Sequence, residues 1–337
     1  MAATVPSEAG TDAAGPITVR RWSPADEAEV LALLGASLGW VPDDLHSRFF
    51  RWKHQQSSFG VSPAWVAVLD GQIVGFRVFL RWELVGPGGG VPVRAVRAVD
   101  TATHPLHQGR GIFRDLTLHA LGELSTEGVE LVFNTPNDRS RPGYLKMGWH
   151  TVGRLPVRAR PRSARSLVRL ATARVPAAKW TVPSRAGVPA PEVLGEVASI
   201  ERLLGSRAAA PGLATHVTPA HLAWRYGFEP LGYRAVVADG DPANGLVVFR
   251  LRRRGGATEA VLCEVLVPAG RTDVARHLAS EVLHQARPDH VVGLGHGGAG
   301  LVPLPRQGPV LVCRDLRPGA CPPDDGWALT MGDIELM

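Results

Sequence analysis

Hydrophobic and polar positions in the first half of the chain alternate between the period of a strand and that of a helix. Residues 17–22 alternate as a strand does, and Ser23-Pro24-Ala25-Asp26 then supplies the cap, the first-turn proline and the acid of a helix start. The Asp70-Gly71 pair lies between two apolar runs and predicts a hairpin turn. The predicted strands are 17–22, 65–69, 73–85, 91–103, 130–134 and 149–158, and the predicted helices start at 23 and cover 43–54, 111–126 and 143–147.

A weaker copy of this pattern occupies the second half. Trp52-Lys53-His54 has a counterpart in Trp224-Arg225-Tyr226, and in both halves an apolar strand ending in Asp-Gly follows. A strand at 259–267, a helix at 272–286 and a strand at 290–294 continue the copy. The repeat predicts a tandem duplication. The predicted fold class is mixed α/β (α+β), with tandem domains that each have a central mixed β-sheet flanked by helices.

Composition divides the chain into parts. With 337 residues, of which 45% are hydrophobic, the chain has enough apolar material for two cores. The first sixteen residues are small and polar and lack the basic and apolar regions of a signal peptide. The predicted parts are a disordered tail at 1–16, a first domain at 17–160, a basic Arg/Pro/Ala-rich linker with a helix at 161–190, and a degenerate second domain at 191–337.

The cysteines and the apolar runs bear on the compartment. No apolar run approaches the length that spans a membrane. Cys263, Cys313 and Cys321 are odd in number and lack metal-ligand spacing, so they predict neither a disulfide framework nor a metal site. We therefore expect a cytoplasmic protein in a reducing setting.

The chain is basic, with a formal net charge of +6 and a pI near 9.8. Such a charge is compatible with nucleic acid, an anionic surface or a phosphorylated ligand. The arginines are scattered along the chain, however, which disfavours a nucleic-acid footprint. The denser stretch at 154–185 is typical of a solvated linker and helix face.

The most informative segment for chemistry is 100–113, which reads Asp-Thr-Ala-Thr-His-Pro-Leu-His-Gln-Gly-Arg-Gly-Ile-Phe at a junction of strand and helix. Its glycines, Gly109 and Gly111, allow the backbone to approach a polyanion, and the amides of the first helical turn can then bind phosphates. Arg110 can add a charge-assisted contact. Taken alone, a glycine pair at this junction is more often a tight structural turn.

A second segment, 134–149, supports the phosphate interpretation. It places Asn134 at the end of a strand, Tyr144 in a short helix, and the pair Gly148-Trp149 after it. With the glycine loop, this segment resembles the GNAT superfamily of acyl-CoA N-acyltransferases, whose pyrophosphate loop follows the pattern Q/R-x-x-G-x-G/A. Gln108 and Gly111 match that pattern, whereas Phe113 replaces the usual small residue. The resemblance covers residues 17–158.

The resemblance implies a site for coenzyme A (CoA). The backbone around Ala102 to His104 would pair with the pantetheine arm as an added strand, and Asn134 would hydrogen-bond the same arm. Tyr144 would donate a proton to the departing thiolate; the alternative is a core tyrosine with its hydroxyl at the surface. The expected cofactor-binding residues are Ala102, Thr103, His104, Gln108, Gly109, Arg110, Gly111, Ile112, Phe113 and Asn134.

Direct transfer to an amine also needs a base or a water chain that takes the proton of the amine. Asp100 is the first candidate, although an aspartate at this place can equally serve to hydrogen-bond nearby backbone. His104 and the C-terminal carboxylate of Met337 are weaker candidates. No metal is expected in this chemistry.

The second half lacks the glycine loop. At the corresponding place, residues 267–273 contain one glycine and no Q-x-x-G spacing, so we predict no second CoA site. The second domain is expected to form a wall of the acceptor cleft, with 327–333 as an edge strand. Trp52, Trp65 and Trp82 are expected in the core rather than on a ligand platform.

These observations predict an N-acetyltransferase that moves an acyl group from acetyl-CoA or another acyl-CoA directly to the amine of a small molecule, with an amino sugar as one candidate. The first half has no cysteine to serve as a nucleophile, which fits direct transfer. The alternatives are a transferase that uses aminoacyl-tRNA and contacts RNA through 154–185, an O-acyltransferase, and a non-catalytic acyl-CoA sensor. The expected partners are acyl-CoA and the amine, with no membrane; the oligomeric state is not predicted.

Overall fold

The computed structural model describes residues 15–41, 43–166, 169, 175–295 and 298–335. Most elements predicted from the sequence are present, but the predicted strand 149–158 is two strands and the predicted edge strand 327–333 is absent. The helix predicted within the linker 161–190 falls largely outside the described residues. The strands are β1 (Thr18–Arg21), β2 (Ala64–Leu69), β3 (Gln72–Val85), β4 (Val93–Thr103), β5 (Leu131–Asn134), β6 (His150–Arg154), β7 (Val157–Pro161), β8 (Val188–Pro189), β9 (Ala214–Thr215), β10 (Arg234–Val237), β11 (Leu246–Arg254), β12 (Ala257–Leu266), β13 (His290–Leu294), β14 (Val302–Pro303) and β15 (Val310–Asp315). The helices are α1 (Glu27–Leu38), α2 (Asp44–Gln55), α3 (Ile112–Thr126), α4 (Arg141–Lys146), α5 (Ala190–Leu194), α6 (Val197–Ser206), α7 (Pro219–Tyr226), α8 (Thr272–Ala286) and α9 (Met331–Ile334).

The strands form two mixed sheets. The first has the order β1-β2-β3-β4-β5-β15-β6, with β9 paired to the end of β3, and the second has the order β14-β7-β13-β12-β11-β10-β8. Each sheet has one parallel pair, β4 with β5 and β12 with β13, and the other pairs are antiparallel. Helices flank both sheets, so the predicted mixed α/β class is confirmed.

The second sheet repeats the topology of the first. The run β2-β3-β4-α3-β5 has the same strand order and directions as β10-β11-β12-α8-β13. In both runs an antiparallel pair is followed by a helical crossover to a parallel strand, which is the connection that parallel strands need. The element order therefore matches the duplication seen in the sequence.

The two sheets exchange strands across the boundary predicted at residue 160. Strand β7 follows the first sheet in the chain but pairs with β13 of the second, with Arg160 opposite Val291. Strand β15 belongs to the second half but lies between β5 and β6 of the first sheet, with Cys313 opposite Phe133. Neither sheet is complete without a strand from the other half.

The halves also share one hydrophobic core. Helix α2 meets helix α7 through the stacked indoles of Trp52 and Trp224, whose ring centroids lie 5.5 Å apart. Phe228 also stacks on Trp52, with ring centroids 5.1 Å apart. Trp52, Trp65 and Trp82 are buried, at 5%, 0% and 1% exposure, which confirms that they are core residues.

The close fit of α3 to the first sheet depends on Gly75 of β3. A Cβ at this position would lie 2.5 Å from Ile112 Cγ2 and 2.9 Å from Leu116 Cδ1, so any larger residue would push the helix away. Because α3 begins at Ile112, this contact fixes the height of its N-terminus over the strands that it crosses.

Two expectations about the second half are wrong. Cys313 on β15 forms a disulfide bond with Cys321, with Cα atoms 6.3 Å apart, whereas Cys263 is a buried thiol. The predicted edge strand at 327–333 is absent: Trp327 makes a single bridge to Leu213, and the chain then turns into α9. Among the described residues, no helix has the length and apolarity to cross a membrane.

Candidate active site

One large cleft opens beside the first sheet. Its volume is about 950 Å³. Its walls come from β4, the loop before α3, the start of α3, the segment from the end of β5 into α4, two residues of α1, and one residue each of α2 and α9. The residues that line it are Ser37, Leu38, Lys53, Arg97, Ala98, Val99, Asp100, Thr101, Ala102, Thr103, His107, Gln108, Gly109, Gly111, Ile112, Phe113, Arg114, Asn134, Thr135, Pro136, Asn137, Arg139, Ser140, Gly143, Tyr144 and Ile334.

The cleft begins where β4 and β5 separate. Their parallel pairing runs from Ala95 opposite Leu131 to Arg97 opposite Phe133, but β4 continues to Thr103. The edge of β4 beyond Arg97 is therefore not paired with β5 and faces the cleft. Such an edge can pair with an extended ligand in the manner of an added strand.

The glycine loop lies at one end of the cleft. Gly109 and Gly111 have φ values of +78° and +82°, which strain any other residue, and Gly111 is the N-cap of α3. A Cβ at Gly109 would meet no protein atom within 4 Å, so the space beside it is available to a ligand. The amides of the first turn of α3 lack partners within the helix and, with the helix dipole, form an anion site.

The structure brings eight of the ten expected cofactor residues to this cleft: Ala102, Thr103, Gln108, Gly109, Gly111, Ile112, Phe113 and Asn134. His104 and Arg110 are not among the described residues that line it. The Nδ1 atom of His104 accepts from the amide of Leu106 at 3.3 Å, and Nη1 of Arg110 lies 3.2 Å from Nδ1 of His107. These contacts lie within the loop itself.

Asn134 supplies a polar group that matches an amide-bearing arm. Its side chain is buried at 4% exposure, lines the cleft, and has an Oδ1 atom without a hydrogen-bond partner. Buried polar atoms are seldom left unpaired, because each loses its hydrogen bonds to water. With the free edge of β4 and the glycine loop, Asn134 fits an acyl-CoA arm.

Tyr144 lies on α4 with its hydroxyl in the interior rather than at the surface. The side chain is 4% exposed and lines the cleft, and its ring packs edge-on against Phe113 at 5.4 Å and Trp149 at 5.1 Å. Its Oη atom accepts a hydrogen bond from Nη1 of Arg77 at 2.9 Å. The hydroxyl hydrogen of Tyr144 is therefore left for another acceptor.

The sequence of the first half corresponds to a known domain family. Residues 18–152, from β1 into β6, match the family model of the acetyltransferase (GNAT) domain. This part of the chain is a GNAT acetyltransferase domain. Domains of this family transfer an acyl group from acyl-CoA, and the chain is accordingly an acyl-CoA-dependent N-acyltransferase. The predicted family is confirmed.

Solved structures with the same fold extend over both halves. A probable N-acyltransferase from Enterococcus faecalis has a TM-score of 0.64 and 14% identity, over 90% of this chain and 73% of its own. A GCN5-related N-acetyltransferase from Anabaena variabilis has a TM-score of 0.61 and 14% identity over the same shares. Eis1 from Mycobacterium abscessus has a TM-score of 0.55 and 18% identity, over 89% and 74%. At these identities the likeness concerns the fold. The curated proteins contain no match to this chain.

In the GNAT domain, Asp100 is held by two basic side chains of α2. Its Oδ2 atom lies 2.7 Å from Nζ of Lys53 and 2.9 Å from Nε2 of His54. Burial opposes ionisation of Asp100, but the charge of Lys53 and the hydrogen bond to His54 outweigh it and hold the pKa of Asp100 well below its usual range. A carboxylate with so low a pKa is a weak base, so these contacts disfavour Asp100 as the group that takes the proton of the amine.

The other two candidate bases have different positions. His104 is off the cleft, as described above. Met337 lies outside the described residues, although Ile334 of α9 lines the cleft and shows that the C-terminal segment reaches it.

Sequence reasoning missed three buried basic residues around the site. Arg77 and Arg97 lie on β3 and β4 at 0% and 3% exposure, and Lys53 on α2 is fully buried. The signal for Arg77 was available, because it is a single charge within the apolar run Gly75 to Phe79. Nothing in the local sequence of Lys53 indicates its partner Asp100, which is 47 positions away.

The second half has a smaller cavity at the corresponding place. Its volume is about 270 Å³, and it lies where β12 and β13 separate beyond the pair Val261 and Val292. Most of its walls are apolar, and Arg271 and Asp273 pair with each other at 2.9 Å at the start of α8. The absence of a second CoA site stays a prediction. Over the part of the chain that is described, no group of three or more His, Cys, Asp or Glu side chains is placed to hold a metal ion.

Proposed function

We propose that this GNAT enzyme transfers an acyl group, with acetyl as the default, from acyl-CoA directly to the amine of a small molecule. The observation that carries the proposal is that the glycine loop, the free edge of β4 and the Tyr144 side chain line one continuous cleft. When bound, the cosubstrate supplies an activated thioester, and the chain has to hold it, orient it and manage protons.

Binding is divided among three parts of the cleft. The amides from Gly109 to Phe113 and the positive end of α3 would hold the pyrophosphate. The edge of β4 around Ala102 and Thr103 would pair with the pantetheine arm, and Asn134 Oδ1 would accept a hydrogen bond from one of its amides.

Tyr144 is proposed as the general acid. Its hydroxyl has a hydrogen to give, because Arg77 already donates to the oxygen, and the residue lines the cleft that would hold the thioester. The amine must be neutral to attack, so its proton passes to a base or to water. We propose that the charge of Asp100 holds Lys53 and His54 in position, and that Asp100 is not the base.

The charges of the cleft bear on the acceptor. Outside α3, whose start is proposed to face the pyrophosphate, Lys53, Arg97 and Arg139 line the cleft against Asp100. An amino sugar with several ammonium groups would bring positive charge towards these basic groups, which is unfavourable at close range. A small amine with one amino group suits this wall better than a polycationic amino sugar. The charged side chains that line the cleft in the described structure are Lys53, Arg97, Arg114 and Arg139, against Asp100.

The basic stretch at 154–185 bears on the alternative of an RNA substrate. Arg160 donates to Ser280 Oγ at 2.8 Å, Arg162 donates to the carbonyl of Pro288 at 2.9 Å, and Arg169 pairs with Asp289 at 2.9 Å. These arginines attach the segment to the second half of the protein, which weakens the case for an aminoacyl-tRNA contact. Retention of Tyr144 in the cleft argues against a sensor without turnover.

The first test is calorimetric titration with acetyl-CoA and longer acyl-CoAs, followed by thiol release with a panel of amines, amino sugars and alcohols. Gly109→Trp should abolish binding by filling the phosphate end of the cleft. Gly88→Trp is the matched control, since Gly88 also has a positive φ of +88° and no atom within 4 Å of a Cβ, but lies in the exposed loop after β3. Absence of binding to every acyl-CoA would overturn the proposal, as would equal binding by both variants. Transfer to alcohols alone would replace N-acylation with O-acylation.

A further inference from the structure

Arg77 is a buried cation that contacts two residues lining the cleft of the GNAT domain, Thr101 and Tyr144. It lies on β3 opposite the bulge that Asp100 and Thr101 form in β4, and its side chain is fully buried. Nη1 donates to Tyr144 Oη at 2.9 Å and also contacts Thr101 Oγ1. Arg77 thus joins the acid proposed on α4 to the strand proposed to hold the cosubstrate.

The charge of Arg77 has no carboxylate partner within 4.0 Å among the described residues, and its Nε and Nη2 atoms make no hydrogen bond. Its guanidinium instead lies over aromatic rings, 4.3 Å from the centroid of Phe79 and 5.4 Å from that of Tyr144. An unpaired buried charge is costly, and rings recover only part of that cost. Sites that break a local rule in this way are often functional.

We infer that Arg77 is a positioning residue that sets Tyr144 as the acid. Arginine has only donors, so the Tyr144 oxygen that accepts from it must direct its own hydrogen elsewhere, and the cleft is the side left open. The positive charge also stabilises the negative charge that develops on that oxygen as its proton leaves. The inference rests on the proposed function of Tyr144.

The amine nitrogen forms a bond to the acyl carbon, and the carbon–sulfur bond breaks with its electron pair going to sulfur. Sulfur takes the proton of Tyr144 Oη, which gives a thiol and a tyrosinate held by Arg77. The amine gives one proton to solvent or a base, and the tyrosinate regains one from solvent, so the enzyme returns to its starting state.

The experiment is a double-mutant cycle of Arg77→Met and Tyr144→Phe on the full chain, with turnover and acetyl-CoA binding measured for each variant. Arg77→Met should lower kcat by about 10- to 100-fold, which is within the contribution of a general acid, and leave KM and the Kd for acetyl-CoA within about two-fold. In the Tyr144→Phe background, Arg77→Met should have no further effect on kcat. Arg77→Lys, which keeps a donor and a charge, should recover part of the loss.

Arg81→Met is the matched control, because Arg81 lies on the same strand, is part-exposed and pairs with Glu127 instead of the site. Equal fold-losses from Arg77→Met with and without Tyr144 would overturn the inference, since a purely structural residue acts in both backgrounds. If Arg77→Met fails to fold, Arg77→Lys in the two backgrounds completes the same cycle and decides by the same criterion. Full turnover by Tyr144→Phe would instead remove the proposed acid, and absence of acyl-CoA binding by the wild type would remove the proposed function as a whole.

Discussion

The indole of Trp52 donates to the carbonyl of Trp224 at 2.8 Å, and the indole of Trp224 donates to the carbonyl of Trp52 at 2.9 Å. Each carbonyl lies in the last turn of its helix, where carbonyls lack an N–H four residues on. The Trp224 carbonyl also accepts from the Gly227 amide at 3.2 Å, and each half of the protein contributes an indole donor to a helix end of the other. Because the two residues are equivalent in the repeat, the contact is a near-symmetric joint between duplicated halves.

This joint predicts that the halves unfold together. Trp224→Phe removes one indole donor and leaves a buried carbonyl without it, which should lower the free energy of unfolding by about 1–3 kcal/mol. Chemical denaturation of wild type and variant should each show one transition. Trp22→Phe is the control, because the Trp22 indole has no hydrogen-bond partner to lose. Two separate transitions in the wild type would contradict the shared core.

Asp100→Asn separates the role of a base from that of a buried charge. Removal of the carboxylate leaves Lys53 without this partner, so the free energy of unfolding at pH 7 should fall by about 3–5 kcal/mol. The folded-state pKa of Asp100 is depressed, so its contribution is present above the ordinary value of 3.8 and is lost as pH falls through the lower folded value. The difference between wild type and variant should therefore narrow below pH 4.

Denaturation between pH 3 and pH 8 and thiol release at pH 7 measure the two effects of Asp100→Asn. Asp273→Asn is the control, because it breaks an exposed pair with Arg271 and should cost less. If Asp100→Asn abolished turnover but kept the stability of the wild type, Asp100 would be restored as a catalytic base.

The elements and the glycine loop could be predicted because their signals are local. The loop at Gly109 and Gly111 combines a strand end, positive-φ residues and a helix start within a few positions, and the structure has it there. Tyr144 could be identified from its position in the family pattern. Arg77 could not be identified as its partner, because the contact joins β3 to α4 and such a long-range contact has no characteristic spacing in the sequence.

The exchange of β7 and β15 is invisible to pattern reasoning for a similar reason. The short apolar run at 310–313 is compatible with a strand but does not say which sheet would receive it. The bond between Cys313 and Cys321 was excluded because an odd count in one half suggested no framework, yet one pair can form while the third cysteine stays buried in the core.

The disulfide predicts a dependence of stability on reductant. It joins two cysteines with a sequence separation of 8, one on the exchanged strand β15 and the other in the segment that leads to Trp327. The chain-entropy relation gives about 2–3 kcal/mol for a loop of this size. Thermal melting should shift down on addition of a reductant for the wild type, and Cys321→Ser should melt at the reduced value with no further response. Equal melting with and without reductant would contradict a stabilising bond.

Glu264 should give the free energy of unfolding a second pH dependence, opposite in sign to that from Asp100. Its Oε1 atom accepts from Tyr226 Oη at 2.8 Å and from Thr330 Oγ1 at 3.0 Å within the second-half core. Burial, with the nearby charge of Asp333, raises the pKa of Glu264 from 4.5 to about 7. Between these values the folded state holds a proton that the unfolded state has lost, so stability is full below pH 4.5 and falls as pH rises through 7.

Glu264→Gln should remove this slope. The amide stays neutral at every pH, so the variant should be more stable than the wild type at pH 8, by about 1–3 kcal/mol for a shift of this size, and the gain should shrink towards pH 4. Free energies of unfolding from denaturant titrations at pH 5, 6, 7 and 8 measure it. The exposed Glu201→Gln should follow the wild-type curve. If the Glu264→Gln curve also runs parallel to the wild type, Glu264 is ionised in the folded protein throughout this range, and its pair with Asp333 must be stabilised by the buried arginines around it.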